Sequence, residues 1–146
     1  MTGKLINSLR LISIIVLFIA YMLAYASVPE RVLISVDEVG NAQLFMSKST
    51  LFYAGLTFMI IVNLVLFILL RLIRKGQTEL SAVLYGWLSV LAILINIFFA
   101  FTASFIAVLN SRENFDYSSF GYIVYVIGGM FVIWLVGLIY TLLKAR

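Results

Sequence analysis

Four stretches of this chain carry no charged residue and are each long enough to cross a lipid bilayer. They cover positions 11–29 (19 residues), 49–70 (22), 80–111 (32) and 117–143 (27), together 100 of 146 residues. A helix needs roughly 20 residues to cross about 30 Å of hydrocarbon. No water reaches the peptide groups there, so each stretch must satisfy its own N–H and C=O groups as a helix. The expectation is an all-α membrane protein, a four-transmembrane-helix bundle with helices at about 9–28, 50–70, 80–109 and 120–143 in one integral membrane domain, 1–146.

Orientation follows from the basic residues. One side of the four spans receives Lys4, Arg10, Arg71, Arg74, Lys75, Lys144 and Arg146 with a single acid, Glu79. The other receives Arg31, Lys48 and Arg112 among five acids, Glu30, Asp37, Glu38, Glu113 and Asp116. Basic residues near span ends are retained in the cytoplasm, so both termini are expected inside. The net charge of +4 lies in short helix flanks that favour anionic lipid headgroups, and nucleic acid is not an expected partner. The first span also reads as a secretory signal peptide, with Lys4 and Arg10, an apolar core at 11–23 and Ala24-Tyr25-Ala26 before a cleavage point. Its longer uncharged run favours retention as a membrane helix.

Chemistry is narrowed by what is missing. The chain has no cysteine and no histidine, which excludes disulfides, thiolate and imidazole catalysis, and His or Cys metal sites. No Asp, Glu, Lys or Arg lies within a span, although proton-coupled carriers and voltage sensors use such groups. The polar groups inside the spans are Asn63 and Asn96, with Ser13, Thr57, Ser89, Thr102 and Ser104. The two asparagines come to similar depth on consecutive spans and are expected to bond across an antiparallel pair, as packing contacts before a transport path. In the fourth span, Gly121 and Gly128 share a face with Gly129 one step round, so a helix of the same bundle or of a second protein can approach there. Aromatic belts are expected at the boundaries: Tyr25, Phe52, Tyr53, Phe115, Tyr117, Phe120 and Tyr122 outside, Tyr85, Trp87 and Tyr140 inside. Tyr21 with Tyr25, and Tyr122 with Tyr125, are candidates to flank a shallow outer cleft.

Between the first two spans, Val32, Ile34 and Val36 alternate with Leu33 and Ser35. The turn-forming run Asp37-Glu38-Val39-Gly40-Asn41 and a second apolar run at 42–46 follow. This pattern predicts a short extracytoplasmic β-hairpin, which needs support from the membrane surface, the second outer loop or a partner. The outer acids lack the carboxylate spacing of a calcium loop, and no cofactor or metal is expected.

The run VPERVLISVDEVGNAQLFMSKSTLFYAG, positions 28–55, resembles the first-loop motif of a bacterial membrane domain of unknown function found at the amino terminus of SdpI-like immunity and signalling proteins. Pro29, Gly40, Ser47 and Lys48 stand where that motif has its Pro, Gly and Ser-Lys pair. Ser35 and Asp37 stand where it has His and Asn, so a role that depends on that His does not carry over. The resemblance implies a bacterial plasma-membrane protein engaged in immunity or signal relay, and no catalytic residues.

Lys48 beside Ser47 and Ser49 has the composition of a Ser-Lys dyad, but adjacent residues project apart and no nucleophile elbow is present. The expected function is therefore a non-enzymatic accessory, immunity-like or signalling-like membrane protein. It would bind membrane lipids and another membrane protein, or a second copy of itself. The alternative is a small oligomeric transporter or channel lined by Asn63, Asn96 and Ser/Thr groups; an enzyme acting on lipid comes third.

Overall fold

The structure is a computed structural model that describes residues 3–36, 42–76, 78–111 and 118–144. Helix α1 (Gly3–Ser27) leads into strands β1 (Arg31–Val36) and β2 (Ala42–Ser47), followed by helices α2 (Lys48–Arg74), α3 (Glu79–Leu109) and α4 (Ser118–Lys144). All four helices are long and apolar enough to cross a membrane. The first and second run beyond their uncharged cores, α1 beginning at Gly3 and α2 ending at Arg74. Helical hydrogen bonding does not stop where hydrophobicity stops.

Local chemistry accounts for the boundaries. Val28 N–H bonds to Ala24 O (3.1 Å), and Pro29, which cannot continue a helix, turns the chain into β1. The Ser47 hydroxyl accepts from Thr50 N (3.1 Å) as the N-cap of α2. Thr78 and Ser81 form a reciprocal capping box at the start of α3, with Glu79 in its first turn, where a negative charge complements the helix dipole. Only Lys75–Thr78 separates α2 from α3, so the two are held as an antiparallel hairpin.

Helix α3 is the axis of the bundle, packing most extensively on α1, then on α2 and α4. Its buried face is a row of small groups, Ser89, Ala92, Asn96, Ala100 and Ala103. Against it α1 sets Ile6, Ser13, Leu17 and Ala24, with Val28 just beyond its end, all buried. The α3 row repeats every three or four residues and the α1 row every four or seven, spacings that keep a seam on one side of a helix. Short side chains on α3 let the backbones come close, which is how helices associate where lipid offers no hydrophobic driving force. Along this seam α1 packs on α3. Leu17, Met59 and Ala100 form the apolar core between α1, α2 and α3.

Helix α4 sits at the periphery. It turns Ile127, Phe131, Trp134, Leu138 and Thr141 partly inward and exposes most of its remaining described surface. Trp134 Nε1 donates to Trp87 O (2.8 Å), and the two indoles meet edge to face at 6.4 Å. Gly137 makes room for the Trp87 ring, which a Cβ at that position would strike.

The hairpin is antiparallel, with Arg31 opposite Ser47, Val32 opposite Met46 and Leu33 opposite Phe45. Ile34 and then Gln43 are each one residue extra, which shifts the register and restores it. The expected turn, 37–41 with Gly40, lies outside the described residues.

Candidate functional site

Asn63, Asn96 and Ser13 form one connected array within the helices, and Tyr85, Asn7 and Ser89 a second. Asn63 Nδ2 donates to Asn96 Oδ1 (3.0 Å) and to its own helix at Met59 O (3.0 Å). Asn96 Nδ2 donates to Ser13 Oγ (3.0 Å), whose hydroxyl donates to Arg10 O (2.7 Å). One asparagine therefore joins α1, α2 and α3 at a single level. Nearer the basic end, Tyr85 O–H donates to Asn7 Oδ1 (2.5 Å) and Ser89 O–H to Tyr85 O (2.8 Å). Asn96 and Ser89 are wholly enclosed, and among the described residues no buried side-chain nitrogen or oxygen lacks a partner. Each enclosed polar atom of the array has at least one partner, which suits a structural tie.

At the hairpin end the ties are different. Tyr21 O–H reaches Leu51 O (2.9 Å) and Phe52 O (2.8 Å) on the first turn of α2, over Gly55, where a Cβ would strike the Tyr21 hydroxyl. Tyr21, Tyr25 and Phe52 stack into a cluster that Tyr53 extends. Lys48 Nζ donates to Val28 O (3.0 Å) and lies 4.7 Å over the Tyr25 ring, while its backbone N–H bonds to Glu30 O (2.9 Å). Lys48 thus closes the junction between α1 and α2, and Ser47 is occupied as a cap. Pro29, Ser47 and Lys48 all sit at this junction; Gly40, the fourth motif residue, lies outside the described residues.

Asn110, the C-cap of α3, holds the hairpin. Its Oδ1 accepts from Leu33 N (2.8 Å) and its Nδ2 donates to Leu33 O (2.8 Å) and to Ile106 O (2.8 Å). One amide side chain takes the place of a third strand at the bulge, while Val32 is fully buried beside it. Replacing Asn110 with alanine strands two backbone groups and is expected to cost about 1–3 kcal/mol locally. Hydrogen exchange at the Leu33 amide should accelerate by about fivefold or more, and an unchanged rate would show that the clamp does not hold the strand.

Two sequence expectations are corrected here. The tyrosine pairs do not build a common cleft: Tyr21 and Tyr25 line a cavity of about 30 Å³ with Ala24, Val28, Phe52 and Ala103, whereas Tyr122 and Tyr125 are 75% and 80% exposed. Of the two partners expected at Gly128 and Gly129, a helix of this bundle does not meet them: among the described residues nothing lies within 4 Å of where their Cβ atoms would be. Both are exposed beside the inward seam of α4; Gly121 lies near the start of the same helix. Of the expected inner aromatics, Tyr85 bonds to Asn7 and Trp87 meets Trp134, while Phe115 and Tyr117 lie outside the described residues. Asn110, Asn7 and the Ala92–Ala100–Ala103 row went unrecognised in the sequence, although the three-or-four spacing of small residues in the third span signals the last of these.

Among the described residues no three His, Cys, Asp or Glu side chains gather into a metal-binding group. Asp37, Glu38, Glu113 and Asp116 lie outside those residues. Comparison with protein-family models, curated proteins and solved structures returned no match. The resemblance at 28–55 accordingly stands on its own motif residues.

Proposed function

We propose that this protein is a non-catalytic, multi-pass subunit of the bacterial plasma membrane that docks a helix of another membrane protein on the outward face of α4. Both termini face the cytoplasm and the hairpin lies outside. The observation that carries this reading is the bare Gly128–Gly129 surface on a helix attached to its own bundle by one seam. Exposed apolar residues mean little in lipid, but small residues on an exposed helix face are where a second backbone can approach. The pinned hairpin, with its exposed second strand, offers a further contact outside the membrane. Likeness of 28–55 to the SdpI-like motif favours immunity or signal relay as the setting. The bonds that tie Asn63 and Asn96 to each other and to Ser13 favour a packing role for these amides over a transport path.

Mild-detergent extraction from native membranes should capture a stoichiometric membrane protein with the wild-type chain. Gly128→Leu should lose it, and Val65→Leu, on an exposed face of α2, should keep it; equal capture by all three would remove the α4 interface. Because the chain has no cysteine, single introduced thiols report sidedness in the same cells. An impermeant maleimide should label Gln43→Cys in the hairpin and spare Lys144→Cys; the opposite pattern would invert the topology.

A further inference from the structure

Away from α4, the basic end of the bundle contains a cleft of about 190 Å³ lined by Arg10, Phe67, Leu70, Arg71, Arg74 and Tyr85. Topology requires positive charge at this end of the molecule but does not require the charges to converge. They converge here from two helices some sixty residues apart in sequence. Side chains on a helix lean toward its N-terminus, so Arg10 of α1 is carried from beside the polar array toward the basic end. Arg71 and Arg74, three residues apart, share one face of α2. Among the described residues no carboxylate or hydrogen-bond acceptor engages any of the three guanidinium groups. The cleft floor is apolar: Leu70 is 2% exposed, and Phe67, half exposed, opens it toward the lipid-facing side of α2. A larger crevice beside it shares Arg74 and Tyr85 and adds Lys4 and Glu79.

Three unpaired guanidinium groups over an apolar floor match a phosphodiester with a hydrocarbon chain attached. Arginine binds phosphate oxygens in a planar, two-pronged geometry, and basic pockets between membrane helices recognise anionic headgroups. We propose that this cleft is a specific site for one anionic phospholipid, its phosphate held among Arg10, Arg71 and Arg74 and an acyl chain lying along Phe67. A zwitterionic lipid brings its own cation among these three and is disfavoured. A soluble phosphate leaves the Phe67 and Leu70 surface unused. The site is independent of which side of the membrane the basic end faces and of any partner on α4.

The test is native mass spectrometry of the purified full chain in neutral detergent, titrated with phosphatidylglycerol, phosphatidylcholine or inorganic phosphate. One phosphatidylglycerol should bind the wild-type protein, and should weaken as salt is raised. At about 1 kcal/mol per basic residue, Arg71→Gln should lose about fivefold in affinity and the triple Arg10, Arg71, Arg74→Gln variant on the order of 100-fold. Lys144→Gln, a cation at the same end outside the cleft, should bind as wild type. Equal binding by wild type and Arg71→Gln would overturn the proposal even if the triple variant failed to fold. Equal binding of phosphatidylcholine would overturn it as well. Displacement of the lipid by millimolar inorganic phosphate would do the same, by making the cleft a free-anion site.

Discussion

Replacing Gly137 with leucine pries α4 off the bundle, whereas the same replacement at Gly128 leaves the isolated chain intact. Position 137 has no room for a Cβ against the Trp87 ring, and the indole that would have to yield packs edge to face on Trp134, which also bonds to the Trp87 carbonyl. Overpacking of this kind costs about 1–3 kcal/mol. That is large for a peripheral helix whose main attachment is one seam on α3. At Gly128 there is open space, and an exposed substitution stays within about 0.5 kcal/mol. Trp87 and Trp134 are the two tryptophans of the chain, so intrinsic fluorescence reads this junction directly. Gly137→Leu should change the emission maximum and lower the midpoint of thermal unfolding in mild detergent; Gly128→Leu should change neither. Identical spectra and midpoints for the two variants would show that the Trp87–Gly137 contact does not hold α4 in place.

The second large effect belongs to Asn96. Leucine there removes two interhelical hydrogen bonds at once, to Asn63 and to Ser13, each worth about 0.6–1.7 kcal/mol in a membrane bundle. It also places a branched side chain in a site with no exposed surface, facing the α1 seam. The expected loss is about 1–3 kcal/mol. Asn63→Leu should cost less, because Asn63 is only half-buried and contributes one of the two bonds. In the double variant the losses should fall short of their sum, since the Asn63–Asn96 bond is removed only once. Strict additivity would mean that the asparagines do not interact in the bilayer. Wild-type stability for Asn96→Leu would mean that the three-helix tie carries no weight.

These two sites differ in how far they can be read from sequence. Asn63 and Asn96 stand out because an amide in a hydrocarbon span has to find a partner, and each is the only amide of its helix. Ser47 and Pro29 are legible for a similar reason: capping and helix termination are settled within a few residues of chain. The Trp87–Gly137 contact has no such local signature. In α4 the conspicuous pair Gly128–Gly129 draws attention, yet the glycine that receives a ring within this chain is Gly137. Asn110 reads as the start of a loop until β1 is laid beside it, because its two partner groups on Leu33 lie 77 residues away.

The number of spans, their approximate extent, the hairpin and the placement of charge at the two ends all follow from the chain itself. They depend on transfer between water and lipid or on turn and cap chemistry, and these act residue by residue. Which face of each helix meets another was decided only by the tertiary structure. Lipid is as apolar as leucine, so a helix face turned outward looks like one turned inward, and hydrophobic periodicity carries no record of the difference. That choice fell to shape and hydrogen bonding: the row of small groups on α3 that admits α1, the Asn96 amide that gathers three helices, and the gap at Gly137 that seats an indole.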